Sequence, residues 1–537
     1  DMPNMTWIGM LPKAPYHTEK SKIRKSYIYD IAWESVTEPC IQSINDPRWV
    51  FDESPLVSGA STIGEPTVPP ESDALMAAIS AVSSELLSVM PSLSTQPPVS
   101  VFEAVSASQH IHVESMNLAT SAGIPLIIDN PSLKSKSDYI EHKVKDQRHT
   151  VKLINGFNKM YHTLYNMRKD GVPPHQPFWA HCKDELRKPV KARSYGGTRV
   201  FSVSPLEQVL TSRRILLPFM DAFHADPVRT HHGIGIAPDS PQWTDLIEHL
   251  RQKGNRVIQL DFKKFSDTLP WDFVAGAFSI IKEYYARYGA LTKEVSAVLD
   301  TLYIEMTASY LCVEKDVFQI NNGVLQGHPV TSIINSIVNL IEQTYVWIKI
   351  TNLPGTDFFK FCGIHVMGDD VVITLPLEIV NKGYNAKTIV QEFAKMKIVV
   401  TDEDKNTENI KPSQDISRLS FMSRSYYLHP YRHLYLAPTD PESIFDTPLW
   451  IRNPESPFQD ETRENMSQSL SLMYSHGPMM YEMYRALLEY MLPGYSFRTW
   501  FDLDYLFMRG EGIPGRSVVD TNLGIVTGTS SKTRELL

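Results

Sequence analysis

Residues 364–374, IHVMGDDVVIT, set two adjacent carboxylates, Asp369 and Asp370, after a glycine and between two apolar runs. Two readings compete. In one, Gly368 opens a tight turn between two strands and the aspartates are solvated turn residues. In the other, the same hairpin pushes a carboxylate pair into a cleft, where hard oxygen ligands hold divalent cations beside phosphates. A bare Gly-Asp-Asp does not decide between them, so the rest of the chain must.

The chain has 537 residues, enough for several domains or one large multi-lobed body with a sizeable core. A hydrophobic content of 42% and a charged content of 21% are those of a soluble globular protein. No unbroken apolar run long enough to span a bilayer stands out, and no signal peptide is visible. The four cysteines, Cys40, Cys182, Cys312 and Cys362, are isolated, which argues against a cysteine zinc site or a disulfide framework and favours a reducing, cytosolic setting. The first residue is Asp1, so the expectation is a piece of a longer chain, cut by design or from a precursor. A net charge of −9 speaks at first against a nucleic-acid partner. Clustering matters more than the sum, however. Lys183, Arg187, Lys188, Lys191, Arg193, Arg199, Arg213 and Arg214 fall close together, with only Asp184, Glu185 and Glu207 among them.

Residues 52–100 are rich in Ser, Pro and Glu around one helical pattern, DALMAAISAVSSELLSVM, expected as a helix between irregular surface segments. From about 150 to 425 strand and helix patterns alternate. NRVIQLDF reads as a buried strand, TSIINSIVNLIEQTYVWIKI as a long helix and AKTIVQEFAKMK as another, so the core is expected to be α+β. After residue 460, ENMSQSLSLMYSHGPMMYEMYRALLEYML reads as helix, break, helix, and the tail from Gly510 as irregular. No internal repeat is seen.

Asp261 ends the strand NRVIQLDF, where a carboxylate is well held and faces outward. It is either a helix cap or one half of a two-metal site whose other half is Asp369. Thr331, Asn335 and Asn339 fall four apart and form one polar stripe on an otherwise apolar helix, suited to a neighbouring helix or to sugar hydroxyls. KDELRKPVKARSYGGTRVFSVSP looks like a basic hairpin turning at Gly196 and Gly197; it is either a solvated surface or a set of forks for a triphosphate. Lys405 sits in the acidic loop VVTDEDKNTENI and matters only if the carboxylates transfer phosphoryl groups.

In this order the segments resemble the motifs of viral RNA-dependent RNA polymerases of the picornavirus-like superfamily. TSAGIP, residues 120–125, resembles the template-entry motif, and KDELR with TRVFSV the nucleotide-entry motif. Asp261 resembles the first-aspartate motif and Gly327, Thr331 and Asn335 the G-x3-T-x3-N pattern. There follow GDD, the lysine motif at Lys405, and LSFMSRSY, similar to the primer-grip motif. The likeness covers about residues 115–425, and seven motifs in series are far more specific than any one. Wording such as KSKIRKS near Lys20 is most similar to the iflaviruses, with dicistroviruses second.

The resemblance implies a closed right-hand polymerase fold. Residues 1–217 would form fingers with an N-terminal extension, 218–269 and 328–425 the two parts of the palm, 270–327 further fingers, and 426–537 the thumb and tail. It implies template-directed ribonucleotidyl transfer that replicates a positive-strand RNA genome. Asp261 and Asp369 would hold two Mg2+ (or Mn2+) ions with Asp370 supporting, and Lys405 would protonate pyrophosphate. Lys183, Arg187 and Arg199 would hold phosphates. Thr120, Ser121, Gly123, Gln326, Gly327, Phe421 and Arg424 would contact RNA. Partners would be template and product RNA, ribonucleoside triphosphates, a small genome-linked protein primer and other viral replication proteins, at membrane-associated complexes in the host cytoplasm.

Three departures from the pattern matter. Gly197 stands where relatives often carry lysine, leaving Lys191 or Arg193 to supply the charge, and Gln326 stands where many have serine. Ser266 stands where an aspartate is usual, with Asp267 one place later. Asp267, brought round by a one-residue bulge, is favoured over Ser266 as the partner of Asn335 in reading the ribose. The rival classes are a metal-dependent nuclease and a catalytically inactive RNA-binding scaffold.

Overall fold

The computed structural model describes residues 2–145, 148–452 and 458–510, so the tail after Gly510 lies outside the described residues. At its centre is the strand Arg256–Phe262, paired antiparallel with Asp370–Leu375 on one side and with Val400–Asp402 on the other. Gly363–Met367 closes the hairpin as the next strand out, and Gln414–Asp415 pairs with the start of the central strand. The alternation of the central strand is what the sequence pattern asks for. Ile258, Leu260 and Phe262 alternate onto one face, where they join the main core, whereas Val257 packs on the other. Both faces are covered. Helices Thr331–Thr351 and Ala386–Lys395 lie on the first, and Gln242–Arg251 packs behind the hairpin on the second.

The helix expected within residues 52–100 is Ser72–Val89. It is long and apolar enough, by length and composition alone, to cross a membrane, which the absence of a long apolar run did not anticipate. In the fold it is a core helix: Leu75, Ala78, Val82 and Leu86 are buried, and it packs against Thr331–Thr351 and Trp271–Arg287. Its opposite face, with Asp73, Met76, Ser80 and Ser84, is exposed.

A second sheet is assembled from distant parts of the chain, in the order Met5–Met10, Asp316–Ile320, Tyr310–Val313, Phe178–Cys182 and Val200–Val203. The basic segment is not a simple hairpin turning at two glycines. Phe178–Cys182 and Val200–Val203 do pair, but residues 183–199 between them make an excursion holding the short strand Leu186–Arg187 and the helical turn Pro189–Ala192.

A third body has its own core, built by Leu449, Met466, Leu470, Tyr474, Leu488, Trp500 and Phe507. Helices Phe458–Met473 and Pro478–Met491 supply most of it, with the expected break at Tyr474–His476. The N-terminal segment straps this body to the second sheet. Arg24–Lys25 pairs with Trp450–Ile451, Ile23 and Ile28 enter the third core, and Glu38–Pro39 pairs with Leu186–Arg187. The bodies thus form a closed ring.

One buried ion cluster ties the helices beside the second sheet. Arg168 is fully buried and donates to both oxygens of Glu207, at 2.5 and 3.0 Å, and of Glu305, at 2.8 and 3.0 Å. Removing the cation leaves two buried carboxylates uncompensated. Arg168→Leu is expected to destabilise the chain by about 3–5 kcal/mol, read from denaturant unfolding; a loss under 1 kcal/mol would show that the cluster adds little.

Candidate active site

Met367 pairs with Asp370 across the hairpin, so only Gly368 and Asp369 make the turn. Gly368 has φ of +64° and Asp369 does not share that sign, the pattern of a II′ turn with glycine first. The register Val371 to Leu260, carried one residue further, sets Asp370 opposite Asp261 on the central strand. Three carboxylates therefore meet at one end of the sheet.

Hydrogen bonds from two sides hold that turn. The Gly368 N–H donates to Ser336 Oγ at 3.0 Å, and Asn339 Nδ2 donates to the Gly368 carbonyl at 2.9 Å. Both partners come from the helix Thr331–Thr351, one turn apart. The Met422 N–H donates to Asp370 at 2.6 Å from the loop after Phe421. Burial pushes the Asp370 carboxyl up to about 6, and the charges of Asp369 and Asp261 add to it. Asp369 is raised by burial too, with Asp261 pushing the same way. This is an anionic cluster short of positive charge. Lys405, in a left-handed backbone conformation at φ +65°, places its ammonium against Asp261. The Arg199 charge also reaches Asp369 and lowers it. Hard carboxylate oxygens crowded together suit a divalent cation.

A profile described as viral RNA-dependent RNA polymerase matches residues 34–492 of the chain. The chain belongs to the viral RNA-dependent RNA polymerase family. It is 29% identical over 475 residues to the genome polyprotein of Deformed wing virus, an iflavirus, covering 87% of this chain but 16% of that polyprotein. It is 24% identical over 528 residues to the RNA1 polyprotein of Tomato torrado virus, covering 93% of this chain and 24% of that one. The chain thus spans a sixth to a quarter of these relatives. Among solved structures, the Sicinivirus 3Dpol RNA dependent RNA polymerase matches with a TM-score of 0.77 at 19% identity, over 94% of this chain and 98% of that one. The fold is the right-hand polymerase fold.

Some of the polymerase's expected site residues sit differently from expectation. The Asn335 amide donates to Ser266 Oγ at 3.2 Å, both buried. Asp267 does not reach it. The chain after Phe262 coils into the 3-10 turn Ser266–Thr268 instead of bulging, and Asp267 accepts from Thr62 at 3.2 Å, its carboxyl raised by burial to about 6. The choice of Asp267 as Asn335's partner is therefore corrected to Ser266.

Phe421 and Arg424 are not free for RNA. Phe421 is buried in the core behind the hairpin, and Arg424 is spent on Asp239 at 3.1 Å and the Ala437 carbonyl. The loop's direct contribution is the Met422 N–H. Gln326 and Gly327 are exposed on the loop that meets the second sheet, where Ser202 donates to the Gln326 carbonyl and Ser204 to that of Gly327. Thr331 caps back onto the His328 carbonyl at 2.9 Å. Thr120 is exposed and touched by Lys136, whereas Ser121 accepts from the Gly123 N–H and Gly123 itself is buried.

The basic groups are partly self-neutralised. Arg199 grips Glu185 with two nitrogens, and Lys183 lies 3.4 Å from the same carboxylate. Arg193 holds Glu38, and Arg187 donates to the Gly197 carbonyl. Lys191 is exposed. Gly197 cannot carry the lysine that the resemblance led one to expect, because a Cβ there would lie 2.0 Å from the Lys191 carbonyl oxygen. Arg213 and Arg214 turn away from the basic surface; they donate to the backbone carbonyls of Ala104, Glu114 and Val99.

Sequence reading did not single out Ser336, Glu185 or the Met422 N–H. The signal for Ser336 was present, one residue beyond the polar stripe and three before Asn339. Asn339→Leu should orphan the Gly368 carbonyl and let the turn drift. A misplacement of about 1 Å can cost about a hundredfold in rate, so template-directed incorporation should fall by that order with a melting loss of only about 1–3 kcal/mol; unchanged incorporation would show that the helix does not position the turn.

Proposed function

We propose that this polymerase copies the genome of a positive-strand RNA virus by template-directed ribonucleotidyl transfer with two Mg2+ (or Mn2+) ions held by Asp261, Asp369 and Asp370. The observation that carries the reading is the convergence of these three carboxylates at one end of the sheet, where burial first and neighbouring negative charge second raise Asp369 and Asp370, which marks a site built for more positive charge than the chain supplies. When bound, the ions supply Lewis acidity to the RNA 3′ hydroxyl and neutralise the triphosphate. The chain's own groups do the rest. Arg199 and Lys183 exchange Glu185 for the incoming phosphates, since a triphosphate offers more acceptor charge than one carboxylate. Lys405 protonates the leaving pyrophosphate. Ser266 and Asn335 together receive the ribose 2′ hydroxyl.

The template enters past Thr120 and Ser121 and product RNA leaves through the closed ring, whose walls include the Gln326–Gly327 loop. A genome-linked protein primer, other viral replication proteins and membrane-associated complexes of the host cytoplasm complete the setting, in keeping with the polyprotein origin of the relatives.

Incorporation of labelled nucleotide on a primed homopolymer tests the whole reading. Asp369→Asn and Asp261→Asn are each expected to lower it by about a thousandfold or more while RNA binding persists. Lys405→Leu is expected to slow addition by about a hundredfold with KM little changed. Near-normal elongation by either aspartate variant would remove the two-metal assignment, and a change confined to KM would remove the proton donor.

Ribose selection is a separate test. Ser266→Ala and Asn335→Ala should each lower ribo- over deoxynucleotide kcat/KM by about tenfold, the value of one lost hydrogen bond. Asp267→Ala should leave it intact, because that carboxylate faces Thr62; the reverse result would restore Asp267 as the sugar reader.

A further inference from the structure

Three histidines from distant parts of the sequence meet beneath the GDD turn. His365 lies on the hairpin strand Gly363–Met367, three residues before Gly368, His249 on the helix Gln242–Arg251, and His231 in the connection that pairs with the strand edge. One ring nitrogen from each lies within 4.8 Å of the others, and no other His, Cys, Asp or Glu group among the described residues converges this tightly. His365 is fully buried and His231 nearly so.

The ring nitrogens are not all satisfied by hydrogen bonds. His231 Nε2 meets Glu85 Oε1 at 2.9 Å, but its Nδ1 is buried without a partner. His365 Nε2 lies 3.1 Å from His249 Nδ1, and His365 Nδ1 also lacks a hydrogen bond. The orphaned Nδ1 of His231, on a ring whose other nitrogen already meets Glu85, is a buried polar atom that a bound ion would satisfy. Two ligands on a tetrahedral zinc, each at about 2.0–2.1 Å, stand roughly 3.3 Å apart, close to the spacing of the His365 and His249 nitrogens. Glu85 on His231 is the second feature. A metal-bound histidine typically gives its other N–H to a carboxylate, which fixes the ring and sharpens its basicity.

We propose that His231, His249 and His365 bind a structural Zn2+, through Nδ1 of His231 and of His249 and Nε2 of His365, with Glu85 orienting His231 and water as the fourth ligand. Burial keeps His365 well below its ordinary pKa and His249 down at about 4, so these two are neutral and need lose no proton to bind. The nearby Lys253 ammonium is engaged by the carbonyls of Phe359 and Lys360, at 3.0 and 3.3 Å. The site would join the helix Ser72–Val89, through Glu85, to the strand that carries the catalytic turn. It is a staple under the hairpin and takes no part in nucleotide chemistry.

The test uses the whole chain without a histidine tag. Metal analysis after dialysis should find about one zinc per chain, and Co2+ in its place should give the visible absorption of a tetrahedral site. A zinc-selective chelator should lower the Tm of the wild type, and added Zn2+ should restore it. His249→Gln, at a half-exposed position, should lose the zinc, the cobalt band and the chelator effect together. The proposal is overturned if the wild type holds no zinc and takes up none from micromolar Zn2+, or if His249→Gln keeps the metal. Should that variant fail to fold, the wild-type cobalt titration and chelator shift still decide.

Discussion

Holding three carboxylates together against their own repulsion is the constraint around which the palm is built. Burial raises the cost of ionising Asp370, and the negative charges of Asp369 and Asp261 add to it. Side-chain packing alone would not hold them, because a turn is the easiest part of a hairpin to move. Backbone bonds do it instead. Strand pairing sets Asp370 opposite Asp261, and Ser336 and Asn339 seize both polar groups of Gly368. The Met422 N–H then fixes the Asp370 carboxylate itself.

The helix that grips the turn also registers the neighbouring parts. Asn335, one residue before Ser336, reaches Ser266 in the 3-10 turn that follows the central strand. Just before the helix, the Gln326 and Gly327 carbonyls are held by Ser202 and Ser204 of the second sheet. The Gly368–Asp369 turn, the Asn335–Ser266 pair and the second sheet are thus spaced by positions along and just before one helix.

The parts legible in the sequence were those carried by periodicity and by residue type. Alternation in VIQLDF and in the GDD hairpin foretold the strands, and the polar stripe foretold which helix face meets the site. What escaped was set by local coiling and by distant partners. Whether Ser266 or Asp267 faces Asn335 depends on a single 3-10 turn, which no spacing rule separates from a bulge. Phe421 and Arg424 look like contact residues until the fold supplies Gly233 and Asp239 as their neighbours. Arg213 and Arg214 counted as basic surface because the sequence does not show that their helix is buried on nearly every side. The histidines at 231, 249 and 365 had no pattern at all, since three separate elements bring them together.

The net charge of −9 and an RNA-handling channel are reconciled by the way acids are distributed. Glu185 and Glu38 sit directly on the arginines of the nucleotide-entry segment, so the free protein shows little naked positive charge there. Exposed pairs of this kind are worth about 1 kcal/mol or less, so they are exchanged readily for a ligand with greater charge. Arg199 stands at the pivot of this exchange, bonded to Glu185 yet close enough for its charge to be felt at Asp369. On the proposed reading a triphosphate would take the place of Glu185 on Arg199, and the divalent ions bound with it would relieve the repulsion that the added phosphate charge and the carboxylates share.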